Sequence, residues 1–372
     1  MRLDVKRNIL LNPGPLTTTD TVKAAMVVPD ICPREKSFGE LVESLQRDLV
    51  RVVRGESRYE TVLFGSSGTG ALEAVISSVV PNGKKILIVQ NGAYGERMTA
   101  IARTYYPADD VIVYSIPHGA FPDTAQIGSI LESRRDIAYV AVVHHETTTG
   151  MLNPARAILS AAHRSGAGVI LDAMSSFGAI PIDTRRDDYD FIVSCANKCL
   201  QGMPGVSFIL CRRDKLAHDG APSRSFYFDL WSEYDYFRRY RQTRFTPPVQ
   251  VLYALKKALE EYFEEGPENR YRRYVESWET LVNGLRDMNL RLLLPLEHQS
   301  KLLTSVYEPE HRNFSFESLH DYLFERGITI YPGKTGALKT FRIANIGAID
   351  KEDIRYFLQE LKAYLVARGI IS

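Results

Sequence analysis

Between about residue 61 and residue 211 the chain repeats one pattern: a short β-rich run, a polar turn, then a stretch with helical periodicity. TVLF at 61–64 precedes a Gly-rich turn and TGALEAVISSVV, and KILIVQ at 85–90 precedes NGAYGERMTAIARTY. Further runs follow at VIVYS near 111, IAYVAVVHH near 137, AGVILDA near 167, YDFIVSC near 189 and VSFILC near 206. Strands that alternate with helices in this way form a mainly parallel sheet, and such a sheet needs helices on both faces to keep it from water. The expected class is therefore α/β, and the shortness of the later strands admits one antiparallel member.

The rhythm changes after residue 248. VQVLYALKKALEEYFEEG and NRYRRYVESWETLVNGLRDMNL read as two long amphipathic helices, with Pro247, Pro248 and the Gly266-Pro267 pair as breaks. Beyond them, strands near KLLTSVYE and GITIYP, a helix around SFESLHDYLFERG, the FRIANIG segment and a final helix at about 350–367 suggest a smaller α+β domain. The expected division is an N-terminal arm (1–20) packing near the small domain, a large domain (21–250), linking helices (251–290) and the small C-terminal domain (291–372).

Charge bears on function here through its distribution. The 46 Lys and Arg against 45 Asp and Glu leave a formal net charge of +1, which argues against a nucleic-acid-coating surface. Arginines nevertheless crowd at Arg238, Arg239, Arg241 and Arg244 and at Arg270, Arg272 and Arg273; the simple reading is solvated helix faces or subunit salt bridges. Neither a signal peptide nor a bilayer-length apolar run is evident, and Cys32, Cys195, Cys199 and Cys211 form neither a disulfide framework nor a complete metal set. A cytoplasmic protein without membrane, metal or nucleic-acid partner is expected, with structural cysteines.

The residues that carry chemistry lie at strand ends. Gly65-Ser66-Ser67-Gly68-Thr69-Gly70 joins a strand to a helix, where an anion can meet exposed helix N–H groups. It lacks the lysine of an ATP-binding phosphate loop and the full dinucleotide fingerprint, and an ordinary tight turn is the alternative. Asp172 directly follows AGVIL, and Lys198 follows YDFIVSCAN, so both belong at the C-terminal edge of the sheet, where open α/β folds assemble ligands. An acid there can hold a protonated heteroaromatic nitrogen and a lysine can form an imine with a carbonyl, the division of labour that pyridoxal phosphate requires. Taken singly, Asp172 reads equally as a helix cap and Lys198 as a solvated side chain. Tyr94 offers a ring for stacking or a core tyrosine, and Thr147 a hydroxyl for the cofactor, for Asp172 or for its own turn. Glu146 either orients substrate or organises its loop; adjacent His144 and His145 do not imply zinc.

The ordered series LLNPGPLTTT, GSSGTGALEA, NGAYGERM, HHETTTGMLNP, ILDAMSSFGAIPID, SCANKCLQGMPG, RFTPP, YPGK and FRIANIG resembles the class V aminotransferases, and within them the group acting on 2-aminoethylphosphonate and pyruvate. The resemblance implies a type I pyridoxal-phosphate-dependent aminotransferase fold. It implies Lys198 as the Schiff-base lysine, Asp172 on the pyridine nitrogen, Tyr94 as the stacking ring, Ser67, Gly68 and Thr69 as the phosphate turn, and Thr147 at a ring substituent. It further implies a homodimer with shared active sites, in which Thr243 and Thr246 reach the neighbouring subunit's phosphate site, and Arg342 as the arginine that holds a substrate carboxylate. Arg244 and Arg34 are candidate contacts for a donor phosphonate. The regions around CPREKSF and residues 218–240 depart most from the family pattern, so a hydroxylated 2-aminoethylphosphonate or another small amine is a conceivable donor. The alternatives are an alanine:glyoxylate or serine:pyruvate aminotransferase; a cysteine desulfurase and a non-catalytic cofactor-binding regulator fit less well.

Overall fold

A computed structural model describes residues 5–216, 223–333 and 338–371. Residues 1–4 of the expected arm, residues 218–222 of the 218–240 segment and Lys334 of YPGK lie outside the described residues. The chain opens with β1 (Ile9–Leu10), α1 (Asp20–Ala24) and α2 (Lys36–Val52). It then alternates through β2 (Tyr59–Phe64), α3 (Gly68–Val79), β3 (Lys85–Gln90), α4 (Ala93–Tyr105), β4 (Val111–Ser115), α5 (Thr124–Ser133) and β5 (Ile137–Val143). A small ribbon, β6 (His145–Glu146) and β7 (Met151–Leu152), leads to α6 (Ala155–Arg164), β8 (Gly168–Asp172), β9 (Phe191–Cys195) and β10 (Ser207–Arg212). Three helices follow: α7 (Leu230–Tyr240), α8 (Val249–Glu265) and α9 (Pro267–Asp287). The C-terminal part consists of β11 (Leu303–Tyr307), α10 (Phe316–Glu325), β12 (Ile328–Thr329), β13 (Tyr331–Pro332), β14 (Thr340–Ala344) and α11 (Lys351–Ala367).

The main sheet has seven strands in the order β2-β10-β9-β8-β5-β3-β4. Its neighbours are parallel except around β10, which runs antiparallel to both β9 and β2. Successive residues of one strand enter different cores: Leu87 and Val89 face one cluster while Ile86 and Ile88 face the other. Val140, Val142, Val169 and Leu171 share the first, and Ala141, Val143 and Ile170 the second. Both faces are thus covered, which is why these strands read as continuous apolar runs rather than as alternating ones. The α/β expectation holds, with β10 as the antiparallel member.

β3 is flanked by β4 on one side and β5 on the other. The chain reverses its direction across the sheet there, and the segments after β3 and β5 open a crevice at the C-terminal edge. A separate antiparallel sheet, β11-β14-β13, packs with α9, α10 and α11 around Leu281, Phe341, Ile343, Phe357 and Leu361. β1 adds to β12 in parallel, and Leu11 joins that same core. The arm therefore runs beside the small sheet before the chain enters the large one. Among the described residues, no helix is long and apolar enough to cross a membrane.

Candidate active site

Asp172 is the last residue of β8, in register with Val143 of β5 and Val193 of β9. Its carbonyl receives the His144 amide at 2.8 Å and its Oδ1 receives the Met174 amide at 2.9 Å. Only 2% of the residue is exposed. Burial pushes the carboxyl up to about 7, with nearby Glu146 adding to the rise and the Met174 amide, Arg97 and Lys198 opposing it. A buried acid with so few donors is suited to a cationic partner.

Glu146 organises its loop. It is fully buried, and Oε2 accepts the Tyr94 and Gly95 amides, each at 3.3 Å, while Oε1 accepts the Thr148 amide at 3.0 Å and hydroxyl at 2.6 Å. The Thr148 hydroxyl oxygen in turn accepts the Ala93 amide at 2.9 Å. Glu146 and Thr148 together cap α4, whose own cap residue, Gly92, has no side chain to do so. A Cβ on Gly92 would overlap the Glu146 carboxylate. The result is that the segment after β5 positions Tyr94, which follows β3. Burial raises the Glu146 carboxyl, against the hydrogen bonds it accepts.

The Ser67–Thr69 turn lies at the N-terminus of α3, with Ser67 as an extended cap residue that makes no side-chain cap bond. Ser66 is held by a 2.7 Å bond between its hydroxyl and that of Ser207 on β10. Gly68 packs on Met174, two residues beyond Asp172, so closely that a Cβ would overlap its sulfur. The Thr69 hydroxyl oxygen accepts Arg97 Nη1 at 3.2 Å, and the Arg97 guanidinium lies 4.9 Å from the Tyr94 ring centre. Arg97 thereby links the turn to Tyr94, and its charge helps to lower the Asp172 carboxyl. The sequence reading missed it, although it sits three residues after Tyr94, on the same helical face.

Lys198 follows β9 and lies opposite the arm, where its Nζ donates to the Pro13 carbonyl at 2.6 Å. The backbone behind it is braced. Gln201 adopts a left-handed conformation, its amide reaches the Lys198 carbonyl at 2.7 Å, and its side chain bonds Tyr274 Oη and the Gly347 carbonyl. Arg270 was expected on a solvated face or in a subunit salt bridge, but it is 2% exposed: it pairs with Glu265 and donates to the Cys199 carbonyl at 3.0 Å. Its interior place follows from α9 crossing behind the lysine loop, which amphipathic periodicity alone does not reveal.

Arg342 lies mid-β14, in register with Ser305 and Tyr331, and is 1% exposed. Nε donates to the Pro332 carbonyl at 2.9 Å and Nη1 to the Thr147 carbonyl at 3.0 Å, and the side chain also bonds Tyr94. Thr147 enters through its backbone and is itself buried. Among the described residues no carboxylate forms an ion pair with Arg342, and burial lowers its pKa. Asp172, Lys198, Tyr94, Thr147, Arg342 and the Ser67–Thr69 turn thus gather at one edge.

Thr243, Thr246, Arg34 and Arg244 form a second group. Arg34 donates to the carbonyls of Thr243 at 2.6 Å and Arg244 at 3.3 Å and to Gln242 Oε1 at 3.2 Å. Arg244 lies over Phe245 and Phe226, donates to the Phe226 carbonyl, and keeps one buried Nη without a partner. Glu233 beneath it accepts the Arg244 amide at 3.4 Å, and burial pushes its carboxyl up to about 7. Thr243 donates to the Phe245 carbonyl at 2.8 Å, Thr246 is exposed, and the following Pro248 touches Gly65. None of the bonds of Arg34 or Arg244 reaches Lys198, Asp172, Tyr94 or Arg342.

Burial pushes the Cys195 and Cys199 thiols up to about 11 and about 12, so both are neutral and unsuited to nucleophilic work. His144 and His145, pushed down to about 4 and about 3 by burial, are neutral and bond Ser176 and Ser300.

A large parallel sheet with an acid and a lysine at its C-terminal edge and a buried arginine supplied by a small antiparallel sheet defines an aminotransferase-type site, and the chain belongs to the aminotransferase class-V family, whose model it matches over residues 23–355. It is 38% identical to a 2-aminoethylphosphonate–pyruvate transaminase of Lysinibacillus sphaericus, over 97% of this chain and 98% of that one. It is 39% identical to a protein of the same name from Bacteroides fragilis, over 96% and 99%. Among solved structures, an alanine–glyoxylate aminotransferase from Nostoc sp. superposes with a TM-score of 0.90 at 28% identity, over 98% of this chain and 97% of the other.

Proposed function

We propose that this chain is a pyridoxal-phosphate-dependent transaminase that moves the amino group of 2-aminoethylphosphonate to pyruvate, giving phosphonoacetaldehyde and L-alanine. The observation that carries the reading is Arg342: a guanidinium 1% exposed, with no ion-pair partner among the described residues, bonded to the Thr147 carbonyl and to Tyr94. A buried guanidinium held by carbonyls rather than by a carboxylate keeps its charge for an anion, and a planar fork suits a carboxylate. The near-full-length relatives supply the donor.

The residues fit pyridoxal phosphate. When bound, that cofactor offers an aldehyde to an amine and a ring that withdraws electrons from the amine-bearing carbon. Asp172 faces the ring nitrogen in this reading, and a cation there favours the carboxylate that burial alone disfavours. The backbone amides of Ser67, Gly68 and Thr69 and the hydroxyls of Ser67 and Thr69 would hold the phosphate at the α3 N-terminus, where the helix dipole favours negative charge. Tyr94 would offer its ring for stacking, and Thr147 would serve a ring substituent. Lys198 would be the attachment point and, when free, would be the base that carries a proton away from the amine-bearing carbon of the donor. Arg342 fixes the acceptor carboxylate. In a homodimer, Thr243 and Thr246 complete the partner's phosphate site, and Arg34 and Arg244 are the contacts for the donor phosphonate.

The test is a half-reaction. The holoenzyme mixed with 2-aminoethylphosphonate and no acceptor should lose the visible absorbance of its bound cofactor, and pyruvate should restore it with formation of L-alanine. Absence of change with this donor, together with rapid conversion by alanine or serine, would overturn the donor assignment.

A further inference from the structure

We propose that the Pro13–Gly14 step of the N-terminal arm is a positioning element of the reaction. The Pro13 carbonyl is the docking point of Lys198 Nζ, as the amine before it takes the proton and as the ammonium after, whenever the lysine is not covalently engaged. The inference rests on the reading of Lys198 as the attachment lysine.

The contact joins residues 185 positions apart, with Nζ 2.6 Å from the carbonyl oxygen. Position 14 accommodates it only as glycine. Its φ of +123° is open to glycine and strained for any other residue, and a Cβ would overlap Nζ and lie within 2.8 Å of Cε. The carbonyl is also held firmly. Leu11 exchanges backbone bonds with Thr329 and Ala344, each at 2.8 Å, Asn12 Nδ2 closes the turn onto the Pro15 carbonyl at 2.9 Å, and the Thr17 hydroxyl donates to the Asn8 carbonyl at 2.8 Å. Leu11, Asn12 and Pro13 are buried. The lysine is thus set between a fixed arm and a braced loop, and Ala344, which pins the arm, is two residues beyond Arg342 on the same strand.

A transaminase needs its lysine free for part of each cycle. With the cofactor bound, the C–H bond at the amine-bearing carbon would break with its electron pair taken up by the cofactor, and the proton would go to the neutral Nζ, whose ammonium would then return it to the cofactor's aldehyde-derived carbon. A preorganised carbonyl accepts a charge-assisted hydrogen bond from that ammonium and aims it without reorganisation. Misaiming it by about 1 Å is expected to slow proton movement by up to about a hundredfold.

The experiment compares wild-type, Gly14→Ala and Asn12→Ala holoenzymes in single turnover with 2-aminoethylphosphonate, protiated or deuterated at the amine-bearing carbon. Loss of cofactor absorbance should slow by about a hundredfold in Gly14→Ala and about tenfold in Asn12→Ala. The deuterium effect should exceed that of the wild type while the KM for pyruvate stays within about twofold, because Arg342 is untouched. Should Gly14→Ala not fold, Asn12→Ala decides. A wild-type rate, or a slower rate with an unchanged isotope effect, overturns the inference. Borohydride reduction of the wild type followed by peptide mapping separates the two levels: cofactor trapped on Lys198 leaves the parent reading standing whatever the variants do, and cofactor trapped on another lysine overturns both.

Discussion

Asp172 is costly to hold as an anion in the cofactor-free protein, because burial raises its folded value to about 7 from an ordinary 3.8. Folding therefore favours the protonated form: its contribution is complete below about pH 4 and is lost as pH rises through about 7. Asp172→Asn, neutral throughout, should gain stability on the cofactor-free wild type across that window, by up to a few kcal/mol. Denaturation midpoints of both proteins at about pH 4 and about pH 8 measure the gain; equal differences at the two pH values would mean that the carboxylate is solvated. With cofactor bound the same variant should bind more weakly, since the ring nitrogen loses its counter-ion. Lys198→Ala should abolish turnover while retaining some cofactor, and near-normal turnover of the purified variant would sink the lysine assignment. Arg342→Ala should lower kcat/KM for pyruvate by about a hundredfold or more, with little recovery in Arg342→Lys, because an ammonium cannot serve the Pro332 and Thr147 carbonyls and a carboxylate together. Asp172 and Lys198 were legible because each closes or follows an apolar strand run. The isolation of Arg342 was not, since it depends on what a different sheet brings beside it.

At the scale of elements, the start of α4 shows a helix terminus that its own sequence cannot complete. Gly92 offers no cap, and the carboxylate that does so comes from Glu146, beyond β5. Glu146→Gln keeps the shape but exchanges an acceptor oxygen for a donor, and should cost about 1–2 kcal/mol while loosening Tyr94. Gly92→Ala should cost more, because its Cβ overlaps that carboxylate. Thermal midpoints of the holoenzymes, read beside the absorbance of the bound cofactor, check both; wild-type stability in Glu146→Gln would show the cap to be dispensable. The strand and helix rhythm was readable because local periodicity produces it. Which strand runs antiparallel, the capping role of Glu146 and the Thr69–Arg97 link were not, because each depends on how elements pack together rather than on local periodicity.

At the scale of the molecule, we propose the division into arm (1–20), large domain (21–250), linking helices (251–290) and small domain (291–372), and a homodimer with shared sites. The second arginine group gives the dimer its test. If Thr243 and Thr246 serve the partner's phosphate site, Lys198→Ala and a Thr243→Ala/Thr246→Ala double variant should each be impaired alone, and refolding the two together should restore activity through mixed dimers. A mixture no more active than its parts would return both threonines to a structural role within their own protomer. By itself the sequence determined what short-range patterning can encode: an α/β chain, its strand-end acid and lysine, its glycine turn at a helix start, and a near-neutral total charge with locally crowded arginines. Only the tertiary structure decided that Arg270 is an interior brace, that Arg342 is buried against Thr147 and Tyr94, and that the arm lays the Pro13 carbonyl against the lysine. Each of these follows from contacts between residues distant in the chain, whose burial and partners exist only once the sheets, helices and arm have packed.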